Sequence, residues 1–452
     1  MNFRFFPFAQ RMNYGHLFLG LDTQVPLASG SSITGINFDN GATTPPLRSV
    51  MEEINRFAPM YGSVHRGAGY KSVVSSQIYE QARTEVLKFV GGDPRTDVVI
   101  FVKNASEALN KLANRLYHKH KREVVLTTWM EHHSNLLPWR EKFSVDYIEV
   151  DEQGRLRLDD LVAKLERYQG AVKLVTVTGA SNVTGHRNPI YKIAELAHRY
   201  GAKICVDGAQ LVPHAPVDMR PSHSPEHIDF LAFSAHKMYA PFGTGVLIGP
   251  RAFFEQGAPD YSGGGTAQLV TPDRIIWEDA PHKEEAGTPN LMGVVALVAA
   301  IRTLSALGMK KVLQHEEELL GYAYERLRWM DGLTFYGGIP LNQQQLSQRI
   351  GVIPFNVEGL FHEDVAELLA REGGIAVRNG CFCAQPYVQR LLHISKQEME
   401  QHMANPSLPH PGMVRVSLGL YNTKEEIDVF IDILGRIVST RSRSLRSAKM
   451  GY

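Results

Sequence analysis

A chain of 452 residues, 44% hydrophobic and 21% charged, is long enough for two or three domains with sizeable cores and too apolar for disorder. A net charge of +1 supplies no field for nucleic acid or an acidic partner. Three cysteines without a pairing framework fit a reducing, cytoplasmic setting, and the longest apolar stretch, Leu291 to Ile301, stops at Arg302, too short to cross a bilayer.

Residues 1–35 read as an N-terminal arm. Arg4, Pro7 and Arg11 interrupt any signal-peptide core, with a transit peptide as the alternative. Over residues 36–308 short β-branched runs alternate with helical patterns. DVVIFV precedes SEALNKLANRLYHKH, EVVLTT and VDYIEV precede LDDLVAKLERY, and VKLVTVT leads to IYKIAELAHRY, KICVDG and IDFLAF. That alternation predicts βαβ units and a large α/β domain built on a mostly parallel sheet flanked by helices. Over residues 309–452 the pattern changes to amphipathic helices such as HEEELLGYAYERLRWM and short strands such as RIGVIPFNV and VRVSLGL, a smaller α+β domain. TKEEIDVFIDILGRIV closes it, with Thr423 as N-cap and acids in the first turn, before a solvated basic tail.

Ligands of an open parallel sheet bind at the carboxyl ends of its strands, so the polar residues after each apolar run are the site candidates. These are Asn182, then Asp207 and Gln210, then Ser234, His236 and Lys237. After VIFV, a turn leads into a helix at Ala105, Ser106 and Glu107, whose amides and hydroxyl offer a phosphate site. A lysine, an acid, an amide and a phosphate cradle at adjacent strand ends match the needs of pyridoxal phosphate: a Schiff-base lysine, a carboxylate for the pyridinium nitrogen and a phosphate anchor. A nucleotide-binding α/β enzyme is the rival reading. It finds SGGGT at 262–266 but no G-x-G-x-x-G after the first strands and no G-x-x-x-x-G-K-[ST].

NGCFCAQP, residues 379–386, holds two of the three cysteines one residue apart. A bridge between them would be strained. A structural zinc site lacks ligands, because Cys205 lies in an apolar run that reads as a core strand, and the His132–His133 pair has no H-E-x-x-H context. A reactive thiol remains, with Cys381 as a resolving thiol, a sulfur acceptor or a small buried residue.

The stretches FDNGATTPP, SVHRGAG, EHHSNLLPW, SNVTG, VDGAQLVPHAPVDM, FSAHKMYAPFGTGVL, EAGTPN, GIAVRNGCFCAQP and RVSLGLYNT run in order from about residue 36 to 430. Together they resemble the class V (fold-type I) PLP-dependent aminotransferase family, most similar to SufS-type cysteine desulfurases and selenocysteine lyases. The resemblance implies the PLP-dependent transferase fold type I. Residue by residue, it implies that Lys237 carries the cofactor, that Asp207 partners the ring nitrogen, and that Gln210 and Asn182 sit near the phenolic oxygen. It places His132 against the ring, and Ala105, Ser106, Ser234 and His236 at the phosphate, with Thr288 reaching over from a second subunit of a homodimer. Arg415 is then the clamp for the substrate carboxylate, with Arg378 nearby, and Cys383 the sulfur-accepting nucleophile, which must ionise to react. His132 is a candidate to relay that proton. The implied reaction converts L-cysteine to L-alanine and leaves a persulfide on Cys383 for an acceptor, possible protein acceptors included. A selenocysteine lyase, another class V enzyme (C–S lyase, epimerase or aminotransferase) and a non-catalytic binding relative are the alternatives. Neither a metal, nor nucleic acid, nor a membrane is expected.

Three features depart from the family pattern. Cys381 and Phe382 stand where SufS-type members have a pair of histidines. A long segment, YVQRLLHISKQEMEQHMANPSLPHPGM, with its own helical pattern, separates the cysteine loop from Arg415. KNASE replaces a Gly-Thr-Thr-Glu-like phosphate turn.

Overall fold

The computed structural model describes residues 13–119 and 123–450, so the first twelve residues of the expected arm, with Arg4, Pro7 and Arg11, and the last two of the tail lie outside the described residues. Seven strands form the central sheet: β1 (Asp97–Val102), β2 (Val124–Thr128), β3 (Ser144–Ile148), β4 (Val172–Thr178), β5 (Lys203–Asp207), β6 (Phe230–Ser234) and β7 (Gly245–Pro250). They lie in the order β1-β7-β6-β5-β4-β2-β3. Strands β2 to β6 pair in parallel, as the alternating pattern predicts, and only β7 runs antiparallel to both its neighbours.

The strand runs are apolar at nearly every position because both sheet faces are covered. Val99, Phe101, Leu126, Val175, Val177, Ile204, Val206, Leu231 and Phe233 point into one core, which also holds the apolar helix Leu291–Leu307. Their alternates Val98, Ile100, Val125, Leu174, Cys205, Phe230 and Ala232 point into the other, against Ala108, Leu109, Leu112 and Ala113 of the helix Ala105–Leu116. Cys205 is fully buried there, and that desolvation pushes its thiol far above the ordinary range, an inert core residue. Among the described residues no single helix is long and apolar enough to cross a membrane.

The C-terminal region contains a second sheet of β8 (Leu333–Phe335), β9 (Val352–Val357), β10 (Arg378–Gly380) and β11 (Met413–Ser417), antiparallel throughout, in the order β8-β9-β11-β10. The helices Met309–Leu327, His362–Gly373 and Lys424–Met450 cover it. Ile36–Asn37 pairs in parallel with Ile375–Ala376, and Ile36 and Phe38 are buried in this second core, whereas Tyr14 and Phe18 are buried in the first. The chain before residue 40 therefore ties the two cores together. The last helix runs past the predicted end at Val438, because STRSRSLRSAKM contains neither glycine nor proline to stop it.

Candidate active site

The carboxyl ends of β2, β4, β5 and β6 meet in one place because these strands are parallel neighbours. Thr178 and Asp207, the last residues of β4 and β5, face each other in register, and Asp207 faces Ala232 of β6. Asp207 is only 4% exposed, and Oδ1 accepts the Ala209 amide at 3.0 Å. Burial raises its carboxyl pKa, and nearby Lys237 partly offsets the rise.

Lys237 ends a short 3₁₀ turn, Ala235–Lys237, that starts directly at the end of β6. Burial lowers its amine to about 8, Arg415 acts in the same direction, and Asp207 and Cys383 oppose it. A carboxylate, a guanidinium and a thiol from three other segments thus lie near enough to act on this amine's charge. His236 beside it is half-buried, lies 3.2 Å from Thr43 Oγ1 through Nδ1, and is held neutral by burial at about 4.

The turn after β1 builds the anion cradle. Asn104 caps the helix Ala105–Leu116 by accepting the Glu107 amide at 3.0 Å. Ser234, at the tip of β6, accepts the Ala105 amide at 2.8 Å, and Ser106 shares a hydroxyl contact with Ser134. Ala105, Ser106 and Ser234 are therefore brought together at one helix N-terminus, where the macrodipole is positive. The substituted KNASE turn keeps this architecture.

His132 lies on the loop after β2. The Ser134 amide donates to its Nδ1 at 3.1 Å, which fixes the tautomer carrying the proton on Nε2. Burial first, then the charges of Lys237 and Arg415 and the neighbouring His133, lower the imidazole to about 3, so it is neutral at physiological pH. Gln210 is 4% exposed; its Nε2 donates to the Gly41 carbonyl at 2.7 Å, and its Oε1 is buried without a partner.

The smaller sheet delivers the arginines. Arg378 and Arg415 are register partners on β10 and β11, so both reach the same end of that sheet. Arg415 is 2% exposed, donates to the Asn182 carbonyl at 2.9 Å and to Asp39 Oδ1 at 3.2 Å, and keeps Nε buried and unpaired. Burial brings its guanidinium down to about 10. Arg378 is exposed and pairs with Asp39 at 2.6 Å. A Cβ at Gly41 would sit 3.2 Å from both Arg415 Nη2 and Ser417 Oγ, so a side chain there would press on the guanidinium.

The cysteine loop docks on the same site. Asn182 Nδ2 donates to the Phe382 carbonyl at 2.8 Å, and the His133 amide to the Cys383 carbonyl at 2.6 Å. Cys383 is exposed, whereas Cys381 packs beside Met130, Val183, Phe382 and Tyr387, where burial raises its thiol pKa. Cys381 is half-buried at the edge of this cluster.

Thr288 lies on the segment before the helix Leu291–Leu307. It is exposed and lines a cleft with Phe101, Lys103, Glu107 and Glu285, and Lys237 and Asp207 are not among the residues lining it. On the far side of Glu285, through the Arg83 guanidinium, His65, Glu80 and His282 bring two imidazoles and a carboxylate within 4.8 Å of one another. Glu80 already accepts from both imidazoles and from Arg83, which is a filled hydrogen-bond network.

Two neighbours of these candidate residues are not legible in the sequence. Asp39, which joins the two arginines, lies inside FDNGATTPP, and an acid before a turn reads as a turn residue. Glu131 lies in EHHSN beside the histidines. It is 1% exposed and accepts from Thr128 Oγ1 at 2.6 Å, Asn135 Nδ2 at 2.6 Å and the Thr178 amide at 2.9 Å. Burial raises its carboxyl to about 8, with Asp207 adding to the rise.

The model of the Aminotransferase class-V family matches residues 36–430, and the chain belongs to that family. It is similar to proteins named cysteine desulfurase. One, from Haloferax volcanii, is 35% identical over 407 residues, 88% of each chain; a probable cysteine desulfurase from Halalkalibacterium halodurans is 34% identical over 91% of this chain and 94% of its own. The apo structure of a cysteine desulfurase from Thermococcus onnurineus NA1 superposes with a TM-score of 0.79 and 34% identity, covering 90% of this chain and 95% of that one. The cysteine desulfurase CsdA from Escherichia coli gives a TM-score of 0.74 and 28% identity over 90% and 95%.

Proposed function

We propose that this protein is a PLP-dependent cysteine desulfurase that converts L-cysteine to L-alanine and leaves the sulfur as a persulfide on Cys383. The observation that carries the reading is that Asp207 and Lys237 stand at the ends of adjacent strands of the parallel sheet, while Asn182 at the same sheet edge bonds both Arg415 and the cysteine loop. An essential Cys383 separates this reading from class V chemistries that need no thiol opposite the base.

The residues fit pyridoxal phosphate. Lys237 would hold it covalently, Asp207 would sit at the ring nitrogen, and the helix N-terminus at Ala105, with Ser106, Ser234 and His236, would take the phosphate. Gln210 Oε1 and Arg415 Nε are buried polar atoms without a protein partner, as groups that would bond a bound ligand are. When bound, the cofactor supplies an electron sink for the charge left by loss of the substrate's α-proton.

The chain's own residues do the rest. Arg415 binds the substrate carboxylate, with the Asn182 carbonyl holding its guanidinium in plane. Lys237, brought to about 8 by burial, takes the α-proton near neutral pH, since a base works best with a pKa close to the working pH. Asp207, buried beneath the site, favours positive charge next to it. His132 presents a flat neutral ring and an Nε2–H donor, so any proton it relays leaves from that atom. The Cys383 thiolate attacks the substrate sulfur; an S–S bond forms as the C–S bond breaks, and the bonding pair stays with the former substrate carbon. A homodimer belongs to this reading, with the exposed Thr288 reaching a neighbouring subunit's phosphate.

Alanine formation from L-cysteine, with sulfide release under reductant, tests the reading. The wild type makes alanine. Cys383→Ala keeps the cofactor's absorbance and loses at least about 100-fold in rate, as loss of a nucleophile should. Alanine production by Cys383→Ala at the wild-type rate, or pyruvate in its place, rules out the desulfurase assignment.

A further inference from the structure

The residue before the nucleophile is an aromatic one in a backbone conformation suited to glycine or asparagine. Phe382 and Cys383 both have φ of +53°, and the Ala384 amide closes the turn onto the Cys381 carbonyl at 2.9 Å. Two consecutive left-handed residues with side chains cost about 1–2 kcal/mol each, so contacts made by the turn must offset that strain.

Those contacts centre on Phe382. Its ring is 8% exposed and packs with Met130, Val183, Tyr387 and Met413. Its carbonyl accepts from Asn182, the residue whose own carbonyl accepts from Arg415. The face of its ring lies 4.9 Å from the Arg415 guanidinium carbon. Arg415 is therefore held in three directions: by the ring, by the Asn182 carbonyl and by Asp39. An aromatic face against a guanidinium leaves its in-plane N–H groups for polar partners: Nη1 donates to Asn182 and Nη2 to Asp39, and Nε has no partner and is left for a carboxylate.

We propose that Phe382 is a positioning residue that sets substrate choice: its ring fixes the plane of Arg415 toward the carboxylate of an α-amino acid, and its left-handed backbone holds Cys383 opposite the sulfur of the same molecule. The inference rests on the desulfurase reading, with Arg415 as the carboxylate clamp. One side chain then couples the two distances that a cysteine-sized substrate must satisfy, from carboxylate to clamp and from sulfur to nucleophile. A residue that only filled the cluster would be replaceable by any apolar side chain of similar size.

Phe382→Leu removes the aromatic face and keeps apolar burial, Phe382→Tyr keeps the face, and Phe382→Met serves if leucine fails to fold. Each is purified as holoenzyme and compared by melting temperature, by calorimetric titration with L-alanine, and by KM and kcat for L-cysteine. L-alanine carries the carboxylate without a sulfur, so it reports on Arg415 alone. Leucine, or methionine in its place, weakens L-alanine binding and raises KM by about 5- to 20-fold, the range of a partly desolvated cation–π contact. Tyrosine stays within about twofold of the wild type. Unchanged L-alanine affinity and KM in the folded leucine or methionine variant overturn the proposal and leave Phe382 as packing only. If the wild type makes no alanine from cysteine, the desulfurase reading falls; the L-alanine titration still decides whether Phe382 orders the clamp.

Discussion

Glu131 stands one residue before His132, where the histidines of EHHSN draw attention away from it. Its folded pKa, raised to about 8 by burial, lies above that of an unfolded glutamate. Between those two values the folded state binds the extra proton, so stability falls as pH rises across that window, and the loss is complete above about 8. Glu131→Gln mimics the protonated form. It should melt close to wild type at pH 5.5 and above it at pH 9, and a wild type with a flat melting profile over that range would contradict this. Lys237 titrates in the opposite sense. Its amine is free above about 8, so the rate at which apoprotein takes up pyridoxal phosphate should climb with pH and level off there, followed by absorbance in stopped flow. At Arg415, lysine would put a point charge in place of a planar fork; KM for cysteine should rise about tenfold or more with the fold intact, read by steady-state kinetics.

Elements explain why these side chains meet. The apolar runs after which Asn182, Asp207 and Ser234 follow are legible in the sequence as strands, and parallel pairing brings the ends of such strands to one edge. The antiparallel β7 and the register of β10 with β11 are not legible, because strand order depends on contacts far apart in the chain. That register puts Arg378 opposite Arg415, a pairing no local pattern reveals. Two caps give tests at this scale. Asn104→Ala removes the side chain that accepts the Glu107 amide; it should cost about 1 kcal/mol of stability and weaken cofactor retention, measured by denaturant melts and by dialysis. The inserted helix Lys396–Ala404 carries a full capping box from Ser395 and Glu398 and buries no residue. Ser395→Ala should loosen that helix in hydrogen exchange and leave the global melting temperature unchanged, because nothing in the core depends on it.

For the whole molecule, the proposed homodimer, with Thr288 serving a partner's phosphate, predicts shared sites. Lys237→Ala and Thr288→Ala subunits, mixed after unfolding and refolding, should regain roughly a quarter of wild-type activity if Thr288→Ala alone is inactive, since half the dimers then hold one intact site. No recovery would mean that each subunit serves itself. The sequence alone determined the α/β class and which residues end each strand, because side-chain periodicity is local information. It also carried the family, through motifs whose chemistry needs particular residue types. Only the tertiary structure decided that Asp39 joins the two arginines, that Glu131 is buried behind His132, and that Phe382 rests on Arg415. Each of those contacts brings together residues distant in the chain or sets the burial that shifts a pKa, and both arise only when the chain is folded.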